Sequence, residues 1–585
     1  MTPAGHRAAP DWKTVAMTRI ALNDAAPATP VRRRIRTLAA RIGFGALIGT
    51  LTAGVALAVG EAVSTFTSPP SAPVYAVGEA AVNLTPAPLK EWAIAHFGEN
   101  DKRMLITGIL AMLAVIALLA GILALRRLWL GTVFVALFGA VGVAAAIAQP
   151  DAGPSWALPS VLGTIVAAAA LWLLVRLYRG MRTISRRPDP PGAPVTPLPL
   201  TADAQAPPQT QAQAQAVTPA TVSMGPDMAA TGRRRFVLAG AGVAAGSAAV
   251  GFGANLISNR RYNVSAARSA VRIPKPTYPA PALPAGVHPN VAGLSPFFTG
   301  NDEFYRVDTD LALPQVSPSS WTLRIHGMVE RPIELSFDDL LHQPLHEHDM
   351  TISCVSDPVG GPYVGNARWI GASVPALLRA AGVQKGADQL LARSTEGMSI
   401  GTPLGSVLDG RQALLAVAMN GEPLPIAHGF PARMLVPGFY GYSSACKWVT
   451  DLYVTTYAAE QAYWVQRGYA RIGTMKTQSR IDVPKPFAHL NAGPVTVAGI
   501  AWATDRGIAD VQVQIDDGPW QQARLAASDN PDTWRQWTYD WQANAGTHSI
   551  QVRAADDSGQ YQTGTQAGPY PSGASGYESL VVVVA

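Results

Sequence analysis

Met350-Thr351-Ile352-Ser353-Cys354-Val355-Ser356-Asp357-Pro358-Val359-Gly360-Gly361 is the stretch on which the reading of this chain turns. An apolar, β-branched run leads to a cysteine, and a Ser-Asp-Pro and Gly-Gly loop follows. That order predicts a strand over 350–355 whose end at Cys354 presents sulfur at the mouth of a pocket. The 585 residues hold only one other cysteine, Cys446. Two thiols exclude a disulfide-stapled scaffold, a four-thiolate zinc site and a cysteine-held iron–sulfur cluster. Two readings stay open at this point. A Cys354–Cys446 bridge suits an exported chain, and spacing alone leans that way. The other makes one sulfur a thiolate ligand of a soft or high-valent metal whose remaining ligands come from a cofactor.

Outward from the cysteine the pattern is mixed. Residues 321–327 alternate like a strand, 336–341 predict a short capped helix, and 374–381 an amphipathic helix closed by Gly382. Residues 414–419 and 434–436 predict strands, with Gly/Pro-rich connections between them. Together they describe an α+β domain over 294–484 rather than a regular doubly wound sheet. After Pro484 the runs 495–502, 509–515, 533–541, 548–554 and 580–584 alternate with turn signals such as Asp516-Asp517-Gly518. That regular spacing predicts an all-β, immunoglobulin-like sandwich over 485–585.

The first third reads differently. Charged residues make up 14% of the chain against a usual ~25%, which points to membrane spans. Uncharged apolar runs occupy 42–60, 104–125, 128–148 and 157–175, each near the ~20 residues a spanning helix needs. They predict a four-helix anchor over 1–187. A Gly/Ala-rich fifth segment covers 233–258. Arginines flank these runs: Arg32, Arg33, Arg34, Arg36 and Arg41 precede the first, and Arg126 and Arg127 separate the second and third. Arg176, Arg179, Arg182, Arg186 and Arg187 follow the fourth, and Arg233, Arg234 and Arg235 precede the fifth. The loop 149–156 has no Lys or Arg; the loop 61–103 has Lys90, Lys102 and Arg103, the last two counting against this topology. Positive-inside reasoning predicts a multi-pass cell-membrane protein with a cytoplasmic N-terminus, five crossings, and everything after Ile257 outside.

Gly232-Arg233-Arg234-Arg235-Phe236-Val237-Leu238 also resembles the twin-arginine export signal, which carries folded, cofactor-loaded domains. Ordinary flanking charge is the alternative. With no small-residue cleavage site evident, the segment is expected to stay attached. Residues 188–232, rich in Pro, Ala and Gln, predict a disordered tether, and 259–293 an extended spacer. The net charge of +6 is small and its arginines lie beside apolar runs, so a nucleic-acid partner is not expected. No histidine falls in a span, which argues against a haem held there by two imidazoles and for a separate electron-transfer partner.

Several words of the α+β domain carry a resemblance. They are Asn301-Asp302-Glu303-Phe304-Tyr305-Arg306, Trp321-Thr322-Leu323-Arg324-Ile325-His326-Gly327 and Ile352-Ser353-Cys354. Trp369-Ile370-Gly371-Ala372 and Met419-Asn420-Gly421-Glu422-Pro423-Leu424-Pro425 continue the series. His428-Gly429-Phe430-Pro431-Ala432-Arg433 and Val436-Pro437-Gly438-Phe439-Tyr440-Gly441 follow, with Lys447-Trp448 close behind. In this order over residues 301–456 they resemble the molybdopterin-binding domain of the sulfite oxidase family. The resemblance implies an oxidoreductase carrying the molybdenum cofactor in its simple pterin form; joined to the apolar runs it predicts a bacterial membrane-anchored enzyme, and the histidine-free spans and two cysteines predict no haem and no iron–sulfur cluster. It implies that Cys354 ligates molybdenum, and that His428 and Arg433 contact the pterin and its phosphate. Tyr305, Arg306 and Thr395 fall near further cofactor contacts, and Ser444, Ala445, Cys446 and Lys447 match a contact loop. The C-terminal sandwich is similar to the family's second domain, often a dimerisation module, which implies a homodimer. The spans have no counterpart in the family's soluble members.

One departure bears on the small-molecule substrate. Family members that act on sulfite follow the cysteine with Ala-Gly-Asn-Arg-Arg, whose cations attract an oxyanion. Here Val355-Ser356-Asp357-Pro358-Val359 stands in that place, which disfavours sulfite and favours a neutral oxide such as a sulfoxide. Two-electron exchange at molybdenum, with or without transfer of an oxygen atom, is the expected chemistry. Two rival constellations are weaker. His342, His346 and His348 lack the spacing of a helical zinc motif, and a solvated loop is expected there. Gly441-Tyr442-Ser443-Ser444-Ala445 lacks the final glycine of a nucleophile elbow. The competing class is a non-enzymatic adaptor whose sandwich binds a partner and whose cysteines are bridged.

Overall fold

A computed structural model describes residues 30–86, 89, 92–93, 96–97, 100–149, 152–184 and 227–585. Arg186, Arg187 and the expected tether as far as residue 226 lie outside the described residues. Among the described residues the main helices of the N-terminal part are α1 (Pro30–Ser64), α2 (Pro73–Leu84), α3 (Asp101–Arg126), α4 (Leu128–Ile147), α5 (Leu158–Ile184) and α6 (Asp227–Tyr262). All but the short α2 contain a stretch long and apolar enough to cross a membrane: Leu38–Ser64, Lys102–Arg126, Leu128–Ile147, Pro154–Met181 and Arg234–Ala270. These bracket the five apolar runs of the sequence. Two expectations change here. Residues 227–232 are helical rather than tether, and the loop 61–103 contains α2.

Small residues let the helices approach closely. A Cβ on Gly49 of α1 would fall 1.8 Å from the Ala117 carbonyl oxygen of α3. One on Gly121 would fall 2.1 Å from the Gly45 carbonyl oxygen. Gly45 and Gly49 stand one turn apart on the same face, a small-xxx-small seam of the kind that packs helices in lipid. Helices α1 and α6 run parallel. Near their starts the Phe44 and Phe236 rings meet edge-on at 5.4 Å. At their ends Arg261 Nη1 and Tyr262 Oη both bond the Thr65 carbonyl oxygen, at 3.2 and 3.1 Å.

The chain then enters the α+β domain through α7 (Ser265–Ala270), pinned by Arg268 Nε donating to the Leu424 carbonyl at 2.8 Å. The spacer expected over 259–293 is helical at 259–262 and 265–270 and irregular beyond, where it is docked. Tyr278 exchanges backbone bonds with Leu345 and Glu347 at 3.0 and 2.8 Å, satisfying an exposed sheet edge.

The strands of the domain are β1 (Thr322–Gly327), β2 (Ile333–Ser336), β3 (Leu345–Ser353), β4 (Val364–Ser373), β5 (Gln389–Ser394), β6 (Ser399–Pro403), β7 (Leu414–Met419), β8 (Glu422–Pro423), β9 (Arg433–Leu435) and β10 (Val449–Thr455). One sheet has the order β2-β1-β10-β5-β6, with β1 parallel to β10 and the other pairs antiparallel. The other runs β3-β4-β7-β8, with β9 also on β7. Leu323, Ile325, Leu452 and Val454 of the first sheet share a core with Leu415, Val417 and Met434 of the second. The capped helix is present as Phe337–Leu341, with Ser336 and Asp339 forming a reciprocal capping box. The helix Val374–Ala381 ends at Gly382 in the left-handed region, as its sequence requires.

After residue 477 the chain is β-rich. A four-stranded and a five-stranded sheet pack around Val497, Val513, Trp537, Val552 and Val582. The long strands Gly493–Trp502, Ile508–Ile515, Arg535–Ala543, Gly546–Asp556 and Glu578–Val584 coincide with the alternating runs of the sequence. This region braces the cysteine strand. Asp532 accepts from the Thr351 N–H at 2.9 Å through its carbonyl, and its Oδ2 lies 2.7 Å from His348 Nε2.

The Gly49–Gly121 seam yields an expected outcome. Gly121→Leu forces backbone apart and should cost about 1–3 kcal/mol, the usual range for overpacking. It should lower the thermal midpoint of the nanodisc-embedded protein. Gly54→Leu, where a Cβ meets nothing within 4 Å, should leave that midpoint close to wild type.

Candidate active site

Strand β3 pairs with β4 along its whole length, ending at Ser353 opposite Val364. One further bond, Cys354 N–H to the Tyr363 carbonyl at 2.9 Å, carries the ladder to the cysteine, and the chain then turns as Asp357 N–H donates to the Cys354 carbonyl at 3.2 Å. Cys354 Sγ accepts from the Ser356 N–H at 3.4 Å and is fixed on the wall of a cavity of about 700 Å³. Burial pushes this thiol up to about 11, with the Ser356 N–H pulling the other way. Such a sulfur is an inert thiol at neutral pH unless a cation replaces its proton. Both cysteines are free, so the bridge that spacing favoured is not formed. Cys446 is fully buried and lines the same cavity.

Beside Cys354 stand Tyr305, His428, Arg433 and Lys447. His428 closes a 3-10 turn at Gly429, which has φ 109°, and a Cβ there would press on Arg433 Cβ and Lys447 Cα at 3.0 and 3.1 Å. Only glycine brings these three side chains so close together. Burial, then Arg433 and Lys447, pushes His428 down to about 4. The ring is therefore neutral at pH 7, and its 3.2 Å contact with the Asn301 carbonyl assigns the proton to Nε2.

Arg433 is 4% exposed, and burial lowers its pKa to about 10. Its guanidinium lies 5.2 Å over the Trp369 ring and donates through Nη1 to the His428 carbonyl at 3.2 Å. Its Nε has no hydrogen-bond partner. A buried cation with an idle donor is costly unless an anion joins it. Tyr305, stacked on Phe304 at 5.4 Å, is held firmly protonated by burial and by the neighbouring thiol.

A second cluster closes the cavity. Asp308 is paired with Lys447 at 2.8 Å, with Arg306 Nε at 2.8 Å and with Lys102. Burial opposes its charge, but Lys447, Lys102 and Arg306 together hold its carboxyl well below the usual carboxylate range. Lys102 also donates to the Asp310 carbonyl at 2.6 Å. It belongs to α3, so the apolar helical part completes this wall. Buried acids adjoin the cluster. Burial and the charge of Asp308 raise Asp310 to about 6, and burial and Asp310 raise Glu396 and Glu79, the latter to about 7.

The structure thus brings Tyr305, Cys354, His428, Arg433, Ala445, Cys446 and Lys447 to one cavity. Arg306, Thr395 and Ser444 stand behind its lining. Arg306 binds Asp308, Thr395 donates to Glu396 Oε2 at 3.2 Å, and the Ser444 hydroxyl donates to the Phe439 carbonyl at 3.0 Å. Ser443 is committed to the Gly401 carbonyl at 3.0 Å, so the near-miss nucleophile elbow holds no free hydroxyl. The histidine triplet lies not in a solvated loop but partly on β3. There His346 stacks on Tyr278 at 4.3 Å, His348 faces Asp532, and His342 binds the Asp338 carbonyl at 2.7 Å. Among the described residues no group of three or more His, Cys, Asp or Glu is placed to hold a metal. Sequence reasoning missed Lys102, Asp308, Asp310 and Glu396. The available signal was Lys102 itself, a cation in a loop where topology disfavoured one.

Residues 310–464 match the family of the oxidoreductase molybdopterin binding domain. The chain is similar to mitochondrial sulfite oxidase of Drosophila melanogaster, 30% identical over 335 residues that make up 48% of this chain and 57% of that protein. It is also similar to sulfite oxidase of Gallus gallus, 31% identical over 311 residues, or 45% of this chain and 67% of that protein. The sulfane dehydrogenase SoxCD from Paracoccus pantotrophus is a solved structure with 25% identity and a TM-score of 0.41, over 46% of this chain and 75% of that one. The chain therefore spans between 57% and 67% of the length of the two sulfite oxidases.

Two outcomes follow from the buried charges. Asp308→Asn leaves Lys102, Arg306 and Lys447 facing one another and should destabilise the protein by about 3–5 kcal/mol. In thermal unfolding it should be worse than Lys102→Met, which leaves two cations on the carboxylate. The second concerns His428, whose folded value of about 4 lies below its unfolded value near 6.5. As pH falls through that window the unfolded chain binds a proton that the folded chain refuses. Cofactor-free wild type should then lose about 3 kcal/mol relative to His428→Gln. The difference in thermal midpoint between the two proteins should drift in favour of the variant from pH 7 to pH 4; a constant difference would contradict the assignment.

Proposed function

The chain belongs to the sulfite oxidase family of molybdopterin oxidoreductases, and on that premise we propose that it is a membrane-anchored enzyme holding molybdenum through Cys354 and exchanging two electrons with a small neutral substrate. The observation that carries this reading is the idle Nε of a buried Arg433 on the same cavity wall as a buried, unbridged Cys354. One group asks for an anion and the other for a metal cation. A pterin phosphate and its molybdenum meet both demands, so the residues present fit the cofactor.

When bound, the cofactor supplies two-electron exchange with the substrate, with or without an oxygen atom moving. The protein's own groups do the rest. The Cys354 sulfur gives up its proton to become a ligand, and the Ser356 N–H steadies the resulting charge. Arg433 offers its planar fork to phosphate. His428 stays neutral with its donor committed to Asn301, and Tyr305 keeps a hydroxyl proton at the cavity wall. Val355, Tyr442, Trp464 and Tyr469 line the side nearest Cys354 and exclude water. Asp357, raised to about 7 by burial, adds no cation there, which favours a neutral oxide over sulfite.

In this reading the catalytic unit covers 294–484 and an immunoglobulin-like, dimer-forming unit covers 485–585. The positive-inside pattern places both outside the cytoplasm, with Arg233–Arg235 a retained twin-arginine-like signal. A separate partner exchanges electrons with the site. A non-enzymatic adaptor is not favoured, because its bridged cysteines are absent.

Protein purified from cells that make the cofactor should carry about one molybdenum per chain. Cys354→Ser should lose metal coordination and reduction of sulfoxides together, and Arg433→Met should retain the cofactor about 10–100-fold less well. Elemental analysis and anaerobic activity screening check these outcomes; metal-free wild type from such cells would sink the assignment.

A further inference from the structure

The cofactor cavity has a second wall that the proposed chemistry does not use. Opposite Cys354 it is formed by residues of the helical part, among them Leu89, Trp92, Leu105, Gly108 and Met112. Leu105, Gly108 and Met112 recur at helical spacing, so one face of α3 looks into the cavity. Met112 lies about 15 Å along the helix from Lys102, well inside the candidate span. A Cβ on Gly108 would meet nothing within 4 Å, leaving a slot in that face. Leu89, Trp92 and Met112 are each about half exposed, at 53, 50 and 56%. A second, largely apolar cavity of about 330 Å³ lies beside it among α1 to α5, and Ile109 and Met112 line both.

We infer that the electron partner of this site is a membrane-dissolved quinol, whose ring enters the cofactor cavity beside Gly108 and whose apolar tail occupies the adjoining cavity among the spans. The inference rests on the molybdopterin reading and names the partner of that same site. A wall built from a candidate span is within reach of a molecule that travels in lipid and out of reach of a water-soluble protein carrier. A flat ring suits the slot, and a tail suits a second chamber lined mainly by apolar side chains. The exchange balances with a neutral oxide as substrate: oxide plus quinol gives deoxygenated substrate, water and quinone. The quinol's two O–H bonds and the substrate's bond to oxygen break, two O–H bonds of water form, and two electrons pass from quinol to substrate through the site. Glu396, on the cavity wall, together with Asp310 and Glu79 provides buried acids that can hold the travelling protons, since burial brings Asp310 and Glu79 to about 6 and about 7.

The full chain in nanodiscs, irradiated with a short-tailed azido-ubiquinone, tests this. Labelling should saturate, map by mass spectrometry to residues 89–112, and be displaced by decylubiquinone. Gly108→Phe should weaken it at least about tenfold, equivalent to about 1.4 kcal/mol, with molybdenum content unchanged. Should that variant lose its molybdenum, Met112→Trp fills the passage between the two cavities and is expected to give the same loss. Label spread over all spans without saturation marks a lipid-filled groove and overturns the inference, as does labelling that survives both variants. Molybdenum-loaded wild type without saturable label removes the quinol and leaves the molybdopterin reading; saturable label on protein lacking molybdenum does the reverse.

Discussion

Asp308 is the carboxylate on which the architecture converges. Its side chain is 4% exposed, and it meets Arg306 from its own loop, Lys447 from the segment after Cys446 and Lys102 from a helix far earlier in the chain. A lone buried charge is intolerable, and so are three cations in one dry place; together they are stable because each removes the other's desolvation problem. Closing this cluster brings α3 against the α+β domain and gives the Cys354 cavity its second wall. Tyr463 Oη, 2.6 Å from Asn83 Oδ1, holds the same junction from α2. The apolar helices are thus part of the site's enclosure.

Desolvation also sets the chemistry inside. The same burial pushes the Cys354 thiol up, the His428 imidazole down and the Arg433 guanidinium down. Each shift favours the neutral form, so burial disfavours charge at all three groups. A metal cation would take the place of the thiol proton, and an anionic phosphate would offset the cost of the arginine's buried charge. Asp308 is the exception, kept ionised by its three cations, and it sits at the rim rather than beside the sulfur.

Much of this was legible in the sequence, for local reasons. The five apolar runs, the cysteine-terminated strand, the Ser336 cap and the alternating C-terminal runs each follow from period and end signals that neighbouring residues carry. Cys354, His428, Arg433 and Lys447 were readable because their motif words are compact. Other expectations failed where partners come from far away. Two cysteines in an exported chain suggested a bridge, but Cys354 ends a β3–β4 ladder while Cys446 sits in the core beneath Lys447. The histidines ahead of Cys354 looked solvated, yet Asp532, nearly two hundred positions later, pairs with His348 on β3.

The sequence by itself determined which segments are apolar enough to span, where the strands and caps fall, and that one sulfur stands at a strand end, because those properties belong to short windows of chain. The tertiary structure alone decided that Lys102 faces Asp308, that Arg433 keeps an unpartnered donor inside the cavity, and that α3 lines the site. Those facts depend on which charges share a dry space, and dryness is a property of packed neighbours that no stretch of sequence carries alone.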